Sequence, residues 1–148
     1  MSELTHPPIT VIKNDTVTKN SSNQVLVILR ELETMLNQLI INGEANSVDI
    51  HSVPLAKIDY YRLKKILGEG DVHASFNDSG QTSVVETSIP GIWWVTQRNT
   101  NNSIVAEFIE VTTMPSILQP PADDIQESID ILRSLINKVL TDSSADQP

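Results

Sequence analysis

The sequence contains no cysteine. This absence excludes disulfide bonds, thiolate metal sites, iron–sulfur clusters held by cysteine, and cysteine nucleophiles. Basic residues are also scarce, because 10 Lys and Arg stand against 19 Asp and Glu and leave a net charge of −9. Nucleic acids and anionic membranes are bound by basic surfaces, so neither is expected as a partner.

Long apolar runs are missing as well. No segment approaches the ~20 apolar residues that span a bilayer. Residues 1–8 lack the basic region and apolar stretch of a secretory signal. We therefore expect a cytoplasmic protein.

Motifs for catalysis are equally absent. The three histidines are His6, His51 and His73, and no two of them stand four residues apart on a helix. Glu86 could pair with Glu107 or Glu110 across a sheet, but chance proximity of surface carboxylates is the simpler explanation. We expect no cofactor, no bound metal and no enzymatic activity. The alternative is a small metal-dependent enzyme that uses His51, His73 and nearby carboxylates.

The length of 148 residues suits one domain with a real hydrophobic core. Residues 1–20 are polar and contain Pro7-Pro8, which predicts a flexible tail. Residues 21–141 are predicted to form the domain. Residues 142–148 are predicted to be a second tail.

Three segments have helical periodicity. A capping-box pattern of Ser21 and Gln24 predicts a first helix that ends near Ile41. Leu55–Leu67 is predicted as a second helix with Gly68 as its cap. Its apolar side comprises Ile58, Tyr61 or Arg62, Leu63, Ile66 and Leu67. Ala122–Thr141 is the third. The first and third helices carry matching apolar stripes, which predicts that they pack on each other or on a second subunit. The stripe of the first helix comprises Val25, Leu29, Leu32, Leu36 and Leu39, and that of the third comprises Ile125, Ile129, Leu132, Ile136 and Val139.

Between the helices the period changes to two. One short strand is predicted near residues 48–53, and four more near 72–76, 82–89, 92–98 and 104–112. Their short connections require antiparallel pairing, since parallel crossovers need about a dozen residues or more. The predicted fold is α+β: a four- to five-stranded antiparallel meander with about three helices packed mainly on one face.

The two tryptophans of the chain, Trp93 and Trp94, are adjacent and follow the Pro90-Gly91 turn. Because side chains alternate across a strand, the two rings must point to opposite faces. One ring can enter a core under the helices. The other is predicted to be covered by other parts of the chain, by a partner or by a second copy.

Several motifs resemble, in order and spacing, the conserved C-terminal domain of the HupH/HyaF/HoxQ hydrogenase expression proteins. They are LGEGDV at 67–72, ETSIPGIW at 86–93, IEV at 109–111 and Pro115, within a similarity that extends over roughly residues 22–140. The resemblance implies a cytoplasmic accessory factor in the maturation of nickel–iron hydrogenases. It also implies that the chain is a single stand-alone copy of a domain that normally closes a longer protein.

The expected partners follow from this resemblance. They are the precursor of the hydrogenase small subunit, which carries the iron–sulfur clusters, or other hydrogenase maturation proteins. Without cysteine, the chain would hold a client through surface contacts. A homodimer, or a module that only dimerises, is the structural alternative. The predicted partner-binding residues are Trp93, Trp94, Glu69, Asp71 and Glu86, and the predicted turn residues are Gly68, Gly70, Pro90 and Gly91.

Overall fold

The computed structural model describes residues 15–145, with side chains from residue 23 onward except that of residue 78. Most of the predicted N-terminal tail, including His6, lies outside the described residues, as do residues 146–148. The chain divides into two compact units, one ending at Thr113 and the other starting at Met114. Each unit is described by itself.

The first unit combines two helices with one sheet. Its elements are α1 (Asp15–Asn42), β1 (Asn46–Asp49), α2 (Lys57–Leu67), β2 (His73–Asp78), β3 (Gly80–Glu86), β4 (Ile92–Arg98) and β5 (Ile104–Val111). The strand order is β1-β5-β4-β3-β2, and every neighbouring pair is antiparallel. This arrangement confirms the predicted α+β class and antiparallel meander.

The first helix begins earlier than predicted. It starts at Asp15 and has no proline or glycine before Asn42, so nothing in this stretch stops a helix. The prediction that the helix begins at a capping box at Ser21 is therefore wrong. The predicted end is confirmed, because Gly43 has a φ of +72° and its N–H donates to Leu39 O at 3.0 Å.

The core lies between the two helices and one face of the sheet, here called the helix face. Leu32 of α1, Leu63 of α2 and Trp94 of β4 are among the side chains buried there. The full buried cluster comprises Val25, Ile28, Leu32, Val48, Ile50, Leu63, Leu67, Ile92, Trp94, Ile109 and Val111. Their burial drives the packing of α1 and α2 on this face.

The inward side of α2 differs from the predicted one. Asp59, Leu63 and Leu67 are buried at four-residue intervals, whereas Ile58 and Ile66 are 72% and 46% exposed. Asp59 therefore occupies a core position, and its Oδ2 has no hydrogen-bond partner in the described part of the chain. A search for apolar periodicity could not assign a carboxylate to that position.

The opposite face of the sheet, here called the second face, has its own buried side chains. Val84, Trp93 and Val95 on β3 and β4 are all buried. Val84 and Val95 are direct cross-strand partners. The sheet is therefore apolar at the centre of both faces.

The second unit contains a short 3-10 turn, Ser116–Leu118, and the long helix α3, Ala122–Ala145. All described side chains of α3 are exposed, including the predicted stripe from Ile125 to Val139. Within its own unit this stripe thus has no covering partner. None of the helices in the described range is both long enough and apolar enough to cross a membrane.

Candidate protein-binding site

Two of the sequence motifs lie against each other in the structure. Four hydrogen bonds join the loop after α2 to the loop after β3, and one of them runs from Glu86 N–H to Val72 O at 2.9 Å. Ser88 N–H donates to Leu67 O at 2.9 Å, Gly70 N–H donates to Glu86 O at 2.7 Å, and Ser88 Oγ donates to Glu69 O at 3.3 Å. The LGEGDV and ETSIPGIW motifs therefore form one structural unit.

The two glycines of the first motif permit this close approach. A Cβ at residue 70 would stand 2.6 Å from Thr87 O, which is closer than real Cβ atoms come to a backbone oxygen. Gly68 has a φ of +65°, and a Cβ there would contact the Ser88 side chain. The predicted turn role of Gly68 and Gly70 thus has a steric cause in the facing loop.

The predicted type II turn at Pro90-Gly91 is confirmed. Ile92 N–H donates to Ile89 O at 3.1 Å, and Gly91 has the positive φ, +86°, that the third position of this turn requires. Thr87 is buried beside it and donates through Oγ1 to Ile92 O at 2.9 Å. The turn therefore starts β4 with a fixed orientation of the tryptophan pair.

Trp94 lies on the helix face and is 5% exposed. Tyr60 of α2 packs edge-on against its ring, with centroids 5.7 Å apart. The Lys64 ammonium lies 5.0 Å from the centroid of the same ring, within cation–π distance. The indole N–H donates to Glu107 Oε2 at 3.0 Å. These contacts fix the ring between α2 and β5.

Glu107 is a buried carboxylate that organises this region. Its Oε2 also accepts from Tyr60 OH at 2.9 Å and from Thr96 Oγ1 at 3.0 Å. Three neutral donors, including the Trp94 N–H, thus replace the water that a buried carboxylate loses. This cluster ties α2 to β4 and β5.

The Tyr60 hydroxyl gives a test of the cluster by pH. Burial, followed by the hydrogen bond and charge of Glu107, raises the pKa of Tyr60 above its ordinary value of 10.0. The unfolded chain therefore loses this proton first, and the contribution of Tyr60 to stability is present below pH 10 and declines above it. We expect absorbance titration at 295 nm to show a tyrosine that ionises well above pH 10. A Tyr60→Phe variant should lose this late transition, and its survival in that variant would contradict the assignment.

Trp93 lies on the second face and is 3% exposed. Its indole N–H donates to Thr112 O at 3.1 Å. Glu86 and Glu110 are its cross-strand neighbours on either side. Partial burial raises the pKa of Glu110, because the charged form is poorly solvated there. Both tryptophans are therefore buried within the chain, and neither is a bare surface ring.

A cleft of about 360 Å³ opens beside Trp94 on the helix face, where α2 ends over β3 and β4. We call it the Trp94 cleft. Its lining residues are Lys64, Lys65, Gly68, Glu69, Ser83, Val85, Trp94 and Thr96. Of the predicted partner-binding residues, it brings Trp94 and Glu69 together. Asp71 lies in the exposed loop before β2, and Glu86 lies with Trp93 on the second face.

The chemistry of the Trp94 cleft suits a protein side chain. Val85 and Trp94 give it an apolar floor, and Ser83 and Thr96 add hydroxyl groups. Lys64, Lys65 and Glu69 bring charges of both signs. An apolar floor with a charged and polar surround is typical of protein contact sites.

The histidines are not brought together. His51 follows β1 and His73 begins β2, which are the two edge strands of the sheet. Four strand spacings of ~4.8 Å place these edges roughly 19 Å apart. The alternative prediction of a metal site shared by the two histidines is therefore wrong. His73 Nε2 instead donates to Gly70 O at 2.9 Å. Among the side chains that the structure describes, no group of three His, Cys, Asp or Glu could hold a metal ion.

The suggested carboxylate pairs are also separated. Glu86 and Glu110 flank Trp93 on the second face, two strands apart, while Glu107 lies on the helix face. Glu86 and Glu107 therefore cannot form an acid–base couple across the sheet.

Sequence reasoning missed Lys64, Lys65 and Val85 as site residues. Neither lysine belongs to a recognisable motif, and the periodicity of one helix does not show that α2 ends over β3. Glu107 was considered only as a partner of Glu86, and its role as a buried acceptor was missed, although its spacing to Ile109 and Val111 places all three on one face of β5. That alternation is the signal that could have identified it.

Comparison with known proteins agrees with the motifs. Residues 23–139 match the profile of the HupH hydrogenase expression protein, C-terminal conserved region. Among solved structures, the hydrogenase expression protein HupH from Thiobacillus denitrificans superposes with a TM-score of 0.75 at 32% identity, over 79% of this chain and 98% of that one.

Longer relatives match in sequence. Hydrogenase expression/formation protein HupH of Rhodobacter capsulatus is 26% identical over 67% of this chain and 36% of its own length. Hydrogenase expression/formation protein HoxQ of Azotobacter vinelandii is 29% identical over 61% of this chain and 32% of its own length. The chain thus spans about a third of the length of these relatives. It belongs to the HupH hydrogenase expression protein family, as a representative of the C-terminal conserved region.

Proposed function

We propose that the chain is a non-catalytic, chaperone-like accessory protein of nickel–iron hydrogenase maturation. In this role it binds the precursor of the iron–sulfur small subunit, or a partner maturation protein, in the cytoplasm. The names of the relatives, which are hydrogenase expression/formation proteins, support the process. The absence of cysteine supports binding through surface contacts instead of cluster ligation.

The observation that carries the proposal is the Trp94 cleft. It is built where the two family motifs meet, since Gly68 and Glu69 of the first motif and Trp94 beside the second all line it. Lys64 and Lys65 are an exposed basic pair on a protein of net charge −9. We infer that the client places an apolar side chain over Val85 and an acidic one near the lysines.

The proposal gives supporting roles to the three predicted residues that do not line the cleft, which are Trp93, Glu86 and Asp71. Trp93 and Glu86 are neighbours on the second face, and Glu86 N–H donates to Val72 O at 2.9 Å, next to Asp71. Trp93 acts by holding β4 in place, while the exposed carboxylate of Asp71 remains available to a client.

Charge reversal in the cleft tests the proposal. We expect the double variant Lys64→Glu/Lys65→Glu to bind the hydrogenase small-subunit precursor at least about tenfold more weakly, a loss of ~1.4 kcal/mol. Hydrogenase activity in cells that depend on the variant should fall in parallel. Binding is measured by titrating purified precursor, and activity by hydrogen uptake.

The matched control is Lys57→Glu/Lys138→Glu. It changes the net charge by the same amount, but neither lysine lines the Trp94 cleft. Equal binding by both double variants would overturn the site. A module that only dimerises through the α3 stripe would form a stable dimer, bind no precursor, and leave hydrogenase activity unchanged in either variant.

A further inference from the structure

Strand β2 forms one edge of the sheet, and no strand of the described residues pairs with its outer side. It is the last strand in the order β1-β5-β4-β3-β2 and pairs with β3. Edge strands present unpaired backbone N–H and C=O groups, which proteins usually protect by charge, proline or a covering segment. Within β2 there is neither lysine nor proline.

The register identifies which residues have outward-facing backbone. Glu86 N–H donates to Val72 O at 2.9 Å, which makes this a hydrogen-bonded pair of the antiparallel ladder. Hydrogen-bonded pairs recur every second residue, so the backbone of residues 74, 76 and 78 faces β3. The N–H and C=O groups of His73, Ser75 and Asn77 therefore face away from the sheet. The side chains of these three residues are exposed.

This edge is continuous with the Trp94 cleft. Ser75 pairs with Ser83, and His73 pairs with Val85. Ser83 and Val85 line the cleft. An extended chain added to β2 would continue the sheet in its own plane, two strand positions from Ser83 and Val85, and every second side chain of it would lie on the face that holds the cleft.

The charges near the edge indicate which kind of segment can bind there. Asp71 and Asp78 stand at the two ends of β2 in the sequence. Antiparallel pairing of two copies about Ser75 would place Asp71 opposite Ser79 of the second copy, beside that copy's Asp78. Two proteins of net charge −9 would thus bring further carboxylates together. A partner segment with basic residues at its ends avoids this repulsion.

We propose that the open edge of β2 binds an extended segment of the partner protein by strand addition, through the backbone groups of His73, Ser75 and Asn77. A basic side chain at one end of the segment lies near the exposed Asp71. This inference rests on the proposed function, because it names how the same client is held. Main-chain hydrogen bonds supply the affinity, and the neighbouring cleft contributes specificity.

Proline at residue 75 tests the edge directly. Ser75→Pro removes the outward N–H and leaves the ladder with β3 intact, as edge positions allow. Ser75→Ala removes the same hydroxyl and keeps the N–H. We expect Ser75→Pro to bind the purified small-subunit precursor at least about tenfold more weakly than Ser75→Ala, with both variants folded by circular dichroism.

Equal affinity of the two variants would overturn strand addition while leaving the cleft proposal in place. Absence of binding by the wild-type chain would overturn the proposed function itself.

A second measurement tests the same edge even if Ser75→Pro fails to fold. Because the chain has no cysteine, Ser75→Cys accepts one photoreactive label, with Ser134→Cys on α3 as the control position. A cross-link to the precursor from residue 75 but not from residue 134 supports the proposal. Exclusive cross-linking to a second copy of the chain contradicts it.

Discussion

Replacement of Glu107 by alanine is expected to lower the free energy of unfolding by about 2–4 kcal/mol. The substitution leaves the Tyr60 hydroxyl, the Trp94 indole N–H and the Thr96 hydroxyl without their common acceptor. Each buried donor without a partner costs about 1–3 kcal/mol. Loss of the buried negative charge offsets part of this cost, since its desolvation penalty disappears. Urea unfolding followed by tryptophan fluorescence measures the change.

Two controls separate the hydrogen bonds from the charge. Glu107→Gln keeps the shape and one oxygen acceptor, so we expect a smaller loss than for alanine. Glu110→Gln, on the other face of the same strand, should be neutral or slightly stabilising. Burial raises the pKa of Glu110 in the folded protein. The charged carboxylate therefore lowers the free energy of unfolding, and this loss of stability grows as the pH rises through the pKa that Glu110 has in the unfolded chain. A Glu107→Ala variant within ~0.5 kcal/mol of the wild type, the range of ordinary surface substitutions, would contradict the role of the cluster.

The sheet could be predicted from the sequence because alternation and turn chemistry are local signals. The spacing of Ile109 and Val111 places both on one face, and Pro90-Gly91 specifies its turn. These features depend on residues close together in the chain. The order of β2, β3, β4 and β5 follows from their short connections, since consecutive antiparallel strands pair with their neighbours. The pairing of β1 with β5 joins segments far apart in the chain and has no such local signal.

The Trp94 cleft could not be predicted in the same way. Its walls come from α2 and from β3 and β4, and their arrangement depends on where α2 ends above the sheet. In the structure α2 buries Leu63 and Leu67, together with Asp59, and leaves Ile58 and Ile66 exposed. Because a carboxylate stands at one of the buried positions, a search for apolar periodicity does not find the inward face of this helix. The lysines at positions 64 and 65 lie over the cleft instead of outside it.

Substitution of Gly70 by alanine is expected to destabilise the first unit by about 2–4 kcal/mol, as overpacking against a fixed group does at its upper range. The added Cβ would stand 2.6 Å from Thr87 O. This oxygen belongs to the backbone, so the only relief is to separate the two loops and lose the Gly70 N–H bond to Glu86 O. Separation would also displace Glu69 from the Trp94 cleft. Client binding should therefore weaken together with stability.

The other glycines supply the contrast that identifies the cause. Gly43 also has a positive φ but open space around it, so Gly43→Ala should cost only about 1 kcal/mol for the strained backbone. At Gly68 the obstacle is the Ser88 hydroxyl, a side-chain group. Ser88→Ala should therefore recover part of the stability lost in Gly68→Ala, but it should not rescue Gly70→Ala. Urea unfolding of the two single and two double variants decides the matter, and equal rescue of both glycine variants would show that the backbone of Thr87 is not the obstacle. The loops of both motifs meet at Thr87 O. The stability lost when a Cβ is added at residue 70 therefore measures how closely the LGEGDV segment must approach the turn that orients Trp93 and Trp94.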